Sequence, residues 1–243
     1  MSTPARRQDP APAALLDVWE RGGPLSSGRR ALALLATATG EGGLEGLSIG
    51  DRDADLLSLR ERLFGPHVTA VVACPSCGER QELSFGVDDM RAPRPEPAPE
   101  LSVTVDGVEA RFRLPTTADL DDLDRVADGD ADAAAEALLR RCVFAVSGDG
   151  PPLAPALVAA IEDRMAAADP QADVQLALCC DGCGCAWNAP FDIAAFLWSE
   201  LDAWAWRLVA DVDQLARTYG WTERDVLALS PQRRRIYLEV ATR

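Results

Sequence analysis

The sequence predicts a helix-rich α+β fold built around a small β unit. That unit is made from two Cys-x-x-Cys hairpins far apart in sequence, and helices surround it, with a β-hairpin and further helices inserted between its halves. Three observations predict this class. Stretches of 3.6-residue apolar periodicity recur along the chain with start and stop signals. A strand, Cys-x-x-Cys, strand pattern occurs twice. Between the copies stands a proline-rich run, followed by an Asp-Gly pair with alternating residues on both sides.

Taken in order, residues 1–12 are rich in Pro, Ala and Arg and are expected to be disordered. Helices are expected over Ala13 to Glu20, Ser27 to Thr39 and Asp51 to Phe64. In the third, Asp51 is a good cap, Leu56, Leu57, Leu59 and Leu63 share one face, and Gly65-Pro66 stops the helix. His67 to Ala73 is rich in β-branched residues and Gln81 to Val87 alternates, so both read as strands flanking Cys74-Pro75-Ser76-Cys77-Gly78. Ala92 to Glu100 holds four prolines in nine residues, a stiff linker. Leu101 to Val105 and Val108 to Leu114 form a hairpin about Asp106-Gly107, a pair suited to a turn with positive φ at both central positions.

Thr117 is placed to cap a short acidic helix, and Ala131 to Phe144 and Pro155 to Ala168 read as further helices. The eight acids between Asp119 and Glu136 read as a solvated helix face, with a docking surface for a basic partner as the alternative. Ile193, Leu197, Leu201, Trp204, Leu208, Val212, Leu215 and Tyr219 recur at spacings of three and four, giving one long helix ending at Gly220 whose stripe reads as core rather than as an oligomer seam. Thr222 caps a short helix and Ser230-Pro231 opens the last one. The chain therefore divides into residues 1–12, 13–88 with the first knuckle, 89–171 as linker, hairpin and helical insertion, and 172–243 with the second knuckle and the C-terminal helices.

The two knuckles align as a repeat. Gly65 to Val87 and Asp169 to Ile193 each run from a helix through a proline and a β-rich segment to Cys-x-x-Cys-Gly and a second strand. Such turns present two thiolates each, and two of them complete the closed four-thiolate tetrahedron that structural zinc favours. The alignment selects Cys74, Cys77, Cys180 and Cys183 as ligands; Cys179 and Cys185 are the possible substitutes in the second knuckle. Six clustered cysteines out of seven speak against a disulfide framework. Cys142 reads as a small buried apolar residue, and His67 as an ordinary residue at a strand start. A redox role for one Cys-x-x-Cys is the alternative, but neither copy opens a helix after a strand.

Composition removes other classes. With 39 acids against 24 bases the formal net charge is −15, which repels phosphate backbones and argues against nucleic acid. Every base is arginine, which excludes Schiff-base chemistry, pyridoxal phosphate attachment and a Walker-type phosphate loop, since each needs lysine. One histidine, no His-Glu-x-x-His, no Gly-x-Ser-x-Gly and no glycine-rich dinucleotide fingerprint leave no catalytic signature, and four thiolates leave zinc no open position, so no enzyme is expected. Apolar runs fall far short of the roughly 20 residues that span a bilayer, so no membrane partner and a cytoplasmic location are expected.

Several stretches together resemble the baseplate and hub assembly proteins of contractile injection systems and contractile-tailed phages, similar to those of the T-even phages. They are Gly50-Asp51-Arg52-Asp53 running into Leu56-Leu57-Ser58-Leu59-Arg60 and Leu63-Phe64-Gly65-Pro66, then Cys74-Pro75-Ser76-Cys77-Gly78, and Leu114-Pro115-Thr116-Thr117 with Asp119-Leu120. The ending Tyr219-Gly220-Trp221-Thr222-Glu223 through Arg233-Arg234-Arg235-Ile236-Tyr237-Leu238-Glu239 adds to them. The resemblance implies a non-enzymatic assembly or scaffolding part whose partners are other baseplate or tail-assembly proteins. Two other classes remain as alternatives, a zinc-ribbon nucleic-acid or transcription-associated protein and a thiol oxidoreductase. Arg233, Arg234 and Arg235 have two readings: they solvate the last helix, or they grip an acidic surface on a neighbouring subunit or on residues 119–136.

Overall fold

A computed structural model describes residues 9–96, 98–123, 130–147 and 153–242. Residues 1–8 of the expected disordered segment, and Asp124 and Asp128 of the acidic stretch, lie outside the described residues. The fold is α+β and helix-rich, with three small antiparallel sheets among the described residues.

Four helices make the main body. Helix α1 (Pro12–Gly22) opens on its proline and buries Leu15, Leu16 and Val18. Helix α2 (Ser27–Thr39) is capped by the Ser26 hydroxyl, which accepts the Arg29 N–H, and ends at left-handed Gly40. Helix α3 (Ile49–Phe64) starts two residues before the expected Asp51, because Ser48 supplies the cap and accepts the Asp51 N–H at 3.1 Å. Asp51 then sits in the first turn, where the helix dipole favours a negative charge.

Two hairpins flank this body. Strands β1 (His67–Ala73) and β2 (Arg80–Gly86) pair from His67 opposite Gly86 to Ala73 opposite Arg80. The inserted segment follows as strands β3 (Leu101–Val105) and β4 (Val108–Phe112), helices α4 (Thr117–Leu123) and α5 (Ala131–Cys142), strand β5 (Val143–Ser147) and helix α6 (Pro155–Ala168). Its sheet runs β3-β4-β5, turning at Asp106 and Gly107, both with positive φ. The helix expected to run to Phe144 stops at Cys142. Val143 to Ser147 instead pairs with the open edge of β4, where β-branched residues gain more than in another helical turn.

Strands β6 (Gln175–Cys179) and β7 (Ala186–Pro190) form the second hairpin. Helix α7 (Ile193–Tyr219) then crosses the body and buries Ile193, Leu197, Leu201, Leu208 and Leu215, with Ala194 and Ala205 also inward. Helices α8 (Glu223–Leu227) and α9 (Pro231–Ala241) complete the chain.

The main core joins α1, α2, α3 and α7 to both hairpins through Val68, Val87, Phe85, Leu176 and Phe191. The insertion has a second core of Leu101, Ala110, Phe112, Leu139, Leu157 and Ile161. Ion pairs tie elements that sequence separates. Arg60, 2% exposed, holds both carboxylate oxygens of Glu200 at 2.9 and 2.7 Å and so fastens α3 to α7. Asp119 and Asp121, expected on a solvated face, are buried instead: Arg113 and Arg141 engage Asp119, and Arg29 engages Asp121. Their partners lie on other elements, so the local acidic pattern did not reveal the burial.

Where the chain enters and leaves the insertion, one side chain bridges both strands of traffic. The Gln171 carbonyl accepts the Ala92 N–H at 2.8 Å, and its amide donates to the Met90 carbonyl at 3.0 Å.

Candidate metal centre

Each Cys-x-x-Cys turn is built by the same two backbone hydrogen bonds. The Cys74 N–H donates to the Glu79 carbonyl at 2.9 Å and the Gly78 N–H to the Cys74 carbonyl at 2.9 Å. In the second knuckle the Cys180 N–H donates to the Cys185 carbonyl and the Gly184 N–H to the Cys180 carbonyl, both at 2.8 Å. Gly78 and Gly184 carry φ of 74° and 70°, a left-handed conformation that glycine adopts without the steric cost of a Cβ. The repeat in sequence is thus a repeat in geometry, with Glu79 and Cys185 at equivalent positions.

The two turns face each other across the gap between hairpins. Cys74 Sγ lies 3.7 Å from Cys183 Sγ, and Cys77 Sγ lies 3.7 Å from Cys180 Sγ. All four sulfurs fall within 4.8 Å of one another and form a group able to hold a metal ion. A tetrahedral site with bonds of ~2.3 Å has sulfurs roughly 3.8 Å apart, so the two cross-knuckle contacts already match that edge length. Both hairpins remain separate two-stranded sheets, and it is this sulfur cluster that joins their tips.

Cys74 and Cys180 are buried, while Cys77 and Cys183 are exposed. The Cys77 backbone N–H, aided by the Ser76 N–H, pulls the Cys74 thiol down to about 6. At Cys77 the Glu79 N–H favours the thiolate, but Cys183, burial, Cys180 and Cys74 together push the group up to about 12.

Cys185 is half-buried beside the cluster, and Cys179 is exposed, its thiol facing the Gly184 carbonyl at 3.9 Å; neither belongs to the four-sulfur group. His67 is exposed and starts β1, at the far end of the hairpin from Cys74. Cys142 is fully buried at the end of α5, and burial pushes its thiol up to about 11. Both Cys-x-x-Cys turns lead from strand to strand, and neither begins a helix, unlike the redox turn of a thioredoxin-type fold.

The other singled-out motifs serve packing. Gly50 approaches Asp169 so closely that a Cβ would lie 2.0 Å from its Oδ1, and the Gly50 N–H donates to the same carboxylate at 2.9 Å. The Ile49 N–H donates to the Pro115 carbonyl at 3.2 Å, and Arg52 Nη1 to the Thr117 hydroxyl at 3.0 Å. The segments Gly50–Asp53 and Leu114–Thr117 are thereby one joint between α3 and α4. At the C-terminus Tyr219, Trp221 and Tyr237 pack ring on ring, with centroids 4.8 to 5.8 Å apart. Arg233 and Arg235 are exposed, whereas Arg234 is turned inward with its Nε 3.2 Å from Asp211 of α7.

Residues 32–150 match the family model described as T4 bacteriophage base plate protein, which supports a relation to baseplate proteins. The matched stretch contains Cys74 and Cys77 and the α3–α4 joint; Cys180, Cys183 and the C-terminal helices fall outside it. No curated protein and no solved structure matches the chain. Among the described residues, no helix is long and apolar enough to cross a membrane.

Proposed function

We propose that the chain is a non-enzymatic structural or assembly protein of a phage-tail-like contractile injection system, a baseplate component or an assembly chaperone for one. The match over residues 32–150 carries this reading. Its partners are other baseplate or tail-assembly proteins, and it works through contacts rather than chemistry. In the same reading, Cys74, Cys77, Cys180 and Cys183 bind one structural zinc, since thiolates suit zinc and a closed four-sulfur shell leaves no position for a reacting water. The metal ties the first knuckle to a second one more than a hundred residues away, so it acts as a clasp between the two ends of the body.

Two measurements test the proposal separately. Tagged protein purified from cells assembling the particle should bring baseplate or tail subunits with it, and their absence at every stage of assembly overturns the assembly role. Elemental analysis of protein prepared without chelator should find about one zinc per chain, and less than about 0.2 overturns the metal assignment. Cys77→Ser or Cys183→Ser should lower zinc content and thermal stability together.

A further inference from the structure

Helices α7 and α9 enclose a cleft of about 920 Å³ lined by Trp204, Arg207, Leu208, Asp211, Pro231, Gln232, Arg234 and Arg235 among others. Three arginines share Asp211 as the one acid in that lining. Arg234 is only 7% exposed, and its Nη1 has no hydrogen-bond partner, the one such buried side-chain nitrogen or oxygen among the described residues. A buried guanidinium nitrogen left without an acceptor is costly, and the residue that carries it lines this cleft. The first turn of α9, at Pro231 and Gln232, lies in the same cleft and adds the positive end of an eleven-residue helix. Arg235 is exposed and stands 4.0 Å from the exposed Glu239.

We propose that this cleft is a carboxylate-binding site that receives an acidic segment of a partner protein, with Arg234, Arg207 and Arg235 as its cationic residues. Guanidinium forks pair with carboxylates two bonds at a time, and Arg234 holds Asp211 through Nε while Nη1 remains to be used. The cleft is far larger than one carboxylate needs, and Trp204, Leu208 and Pro231 give it apolar walls. The occupant that fits is therefore a peptide with apolar residues beside its acids. The site deepens the assembly reading and rests on it only for where such a peptide comes from.

The test uses the purified full chain and a short fluorescein-labelled peptide alternating glutamate and leucine, with its glutamine counterpart as control. Anisotropy should show saturable binding of the glutamate peptide that weakens with salt, and no binding of the control. Arg207→Gln and Arg235→Gln, both at exposed positions that leave the core intact, should each weaken binding about tenfold or more, and Arg234→Gln should abolish it. Absence of binding, binding unchanged in Arg207→Gln and Arg235→Gln, or equal affinity for the glutamine peptide overturns the site. Sulfate competing as tightly as the peptide binds overturns the peptide assignment. Because no other subunit is present, these outcomes are separate from co-purification, which alone decides the assembly role.

Discussion

Asp119→Asn is the sharpest probe of how α4 is held to β4 and α5 within the insertion. Asp119 is 2% exposed and receives Arg113 Nη1 and Nη2 at 2.7 and 2.9 Å, the Thr116 N–H and hydroxyl at 2.9 Å each, and Arg141 Nε at 3.3 Å. Asparagine keeps one oxygen and replaces the other by an NH2 that faces donors. With the NH2 at the Oδ1 position the bond from Arg113 Nη2 and the long one from Arg141 Nε are both lost and those to the remaining oxygen become neutral, which at roughly 1.5–3 kcal/mol for the short charge-assisted bond and a fraction of that for the rest costs about 2–4 kcal/mol. For a chain of this size that lowers Tm by about 4–16 °C. The Arg113 guanidinium holds the Asp119 carboxyl well below the usual carboxylate range, against the effect of burial and with help from Thr116. A depressed folded value means the aspartate contributes its full stability above pH ~4 and loses it as pH falls from there toward the folded value. Urea unfolding of wild type and variant at pH 7, with thermal scans at pH 5, 4 and 3, measures both effects. A gap under about 0.5 kcal/mol at pH 7, or one that fails to narrow below pH 4, would refute the reasoning.

Other outcomes follow from the same contacts. Arg60→Ala strands the Glu200 carboxylate and the Gly65 carbonyl and should cost about 3–5 kcal/mol, whereas Arg60→Met with Glu200→Leu should cost much less; equal losses in a double-mutant cycle would deny the pairing. Gly50→Ala must push Asp169 and the Ala172 backbone away from α3, so circular dichroism melts should show a clear loss of Tm, and a neutral result would contradict the close approach. Burial, opposed by Arg52, raises Asp53 to about 6, so the native state favours its protonated form and the Asp53 contribution to stability falls as pH rises from about 4 through 6. Asp53→Asn should flatten that part of the profile, and an unchanged slope would remove Asp53 as its source.

What the sequence revealed was what neighbours along the chain decide. The limits of α2, α6 and α7 follow from Ser26, the opening Pro155 and the closing Gly220, each acting within one helical turn. The sulfur cluster was legible for a different reason: two copies of one local motif imply each other, even across a long gap. Strand β5 differs from the expected helix because Val143 to Ser147 continues a helix-forming run and becomes a strand only against the edge of β4; the strand-favouring Val143, Phe144 and Val146 were the available signal. The burial of Arg60, Asp119 and Arg234 was equally illegible, since each charge is matched by a residue on another element. The paired motifs at Gly50 and Pro115 gave no hint that they touch.

The Gln171 bridge between Met90 and Ala92 has a kinetic consequence. It places the two ends of the insertion side by side, and the insertion has its own core, so that segment can collapse as a unit before the knuckles meet. Once it has, the search that brings Cys74 to Cys183 is no longer over a flexible loop of a hundred residues but over a short effective chain with a folded bead upon it, and closure of a short loop is cheaper and faster. The same adjacency makes the gap from Arg91 to Pro170 short in space, while Asp121, Pro115 and Thr117 fasten the segment between them to α2 and α3.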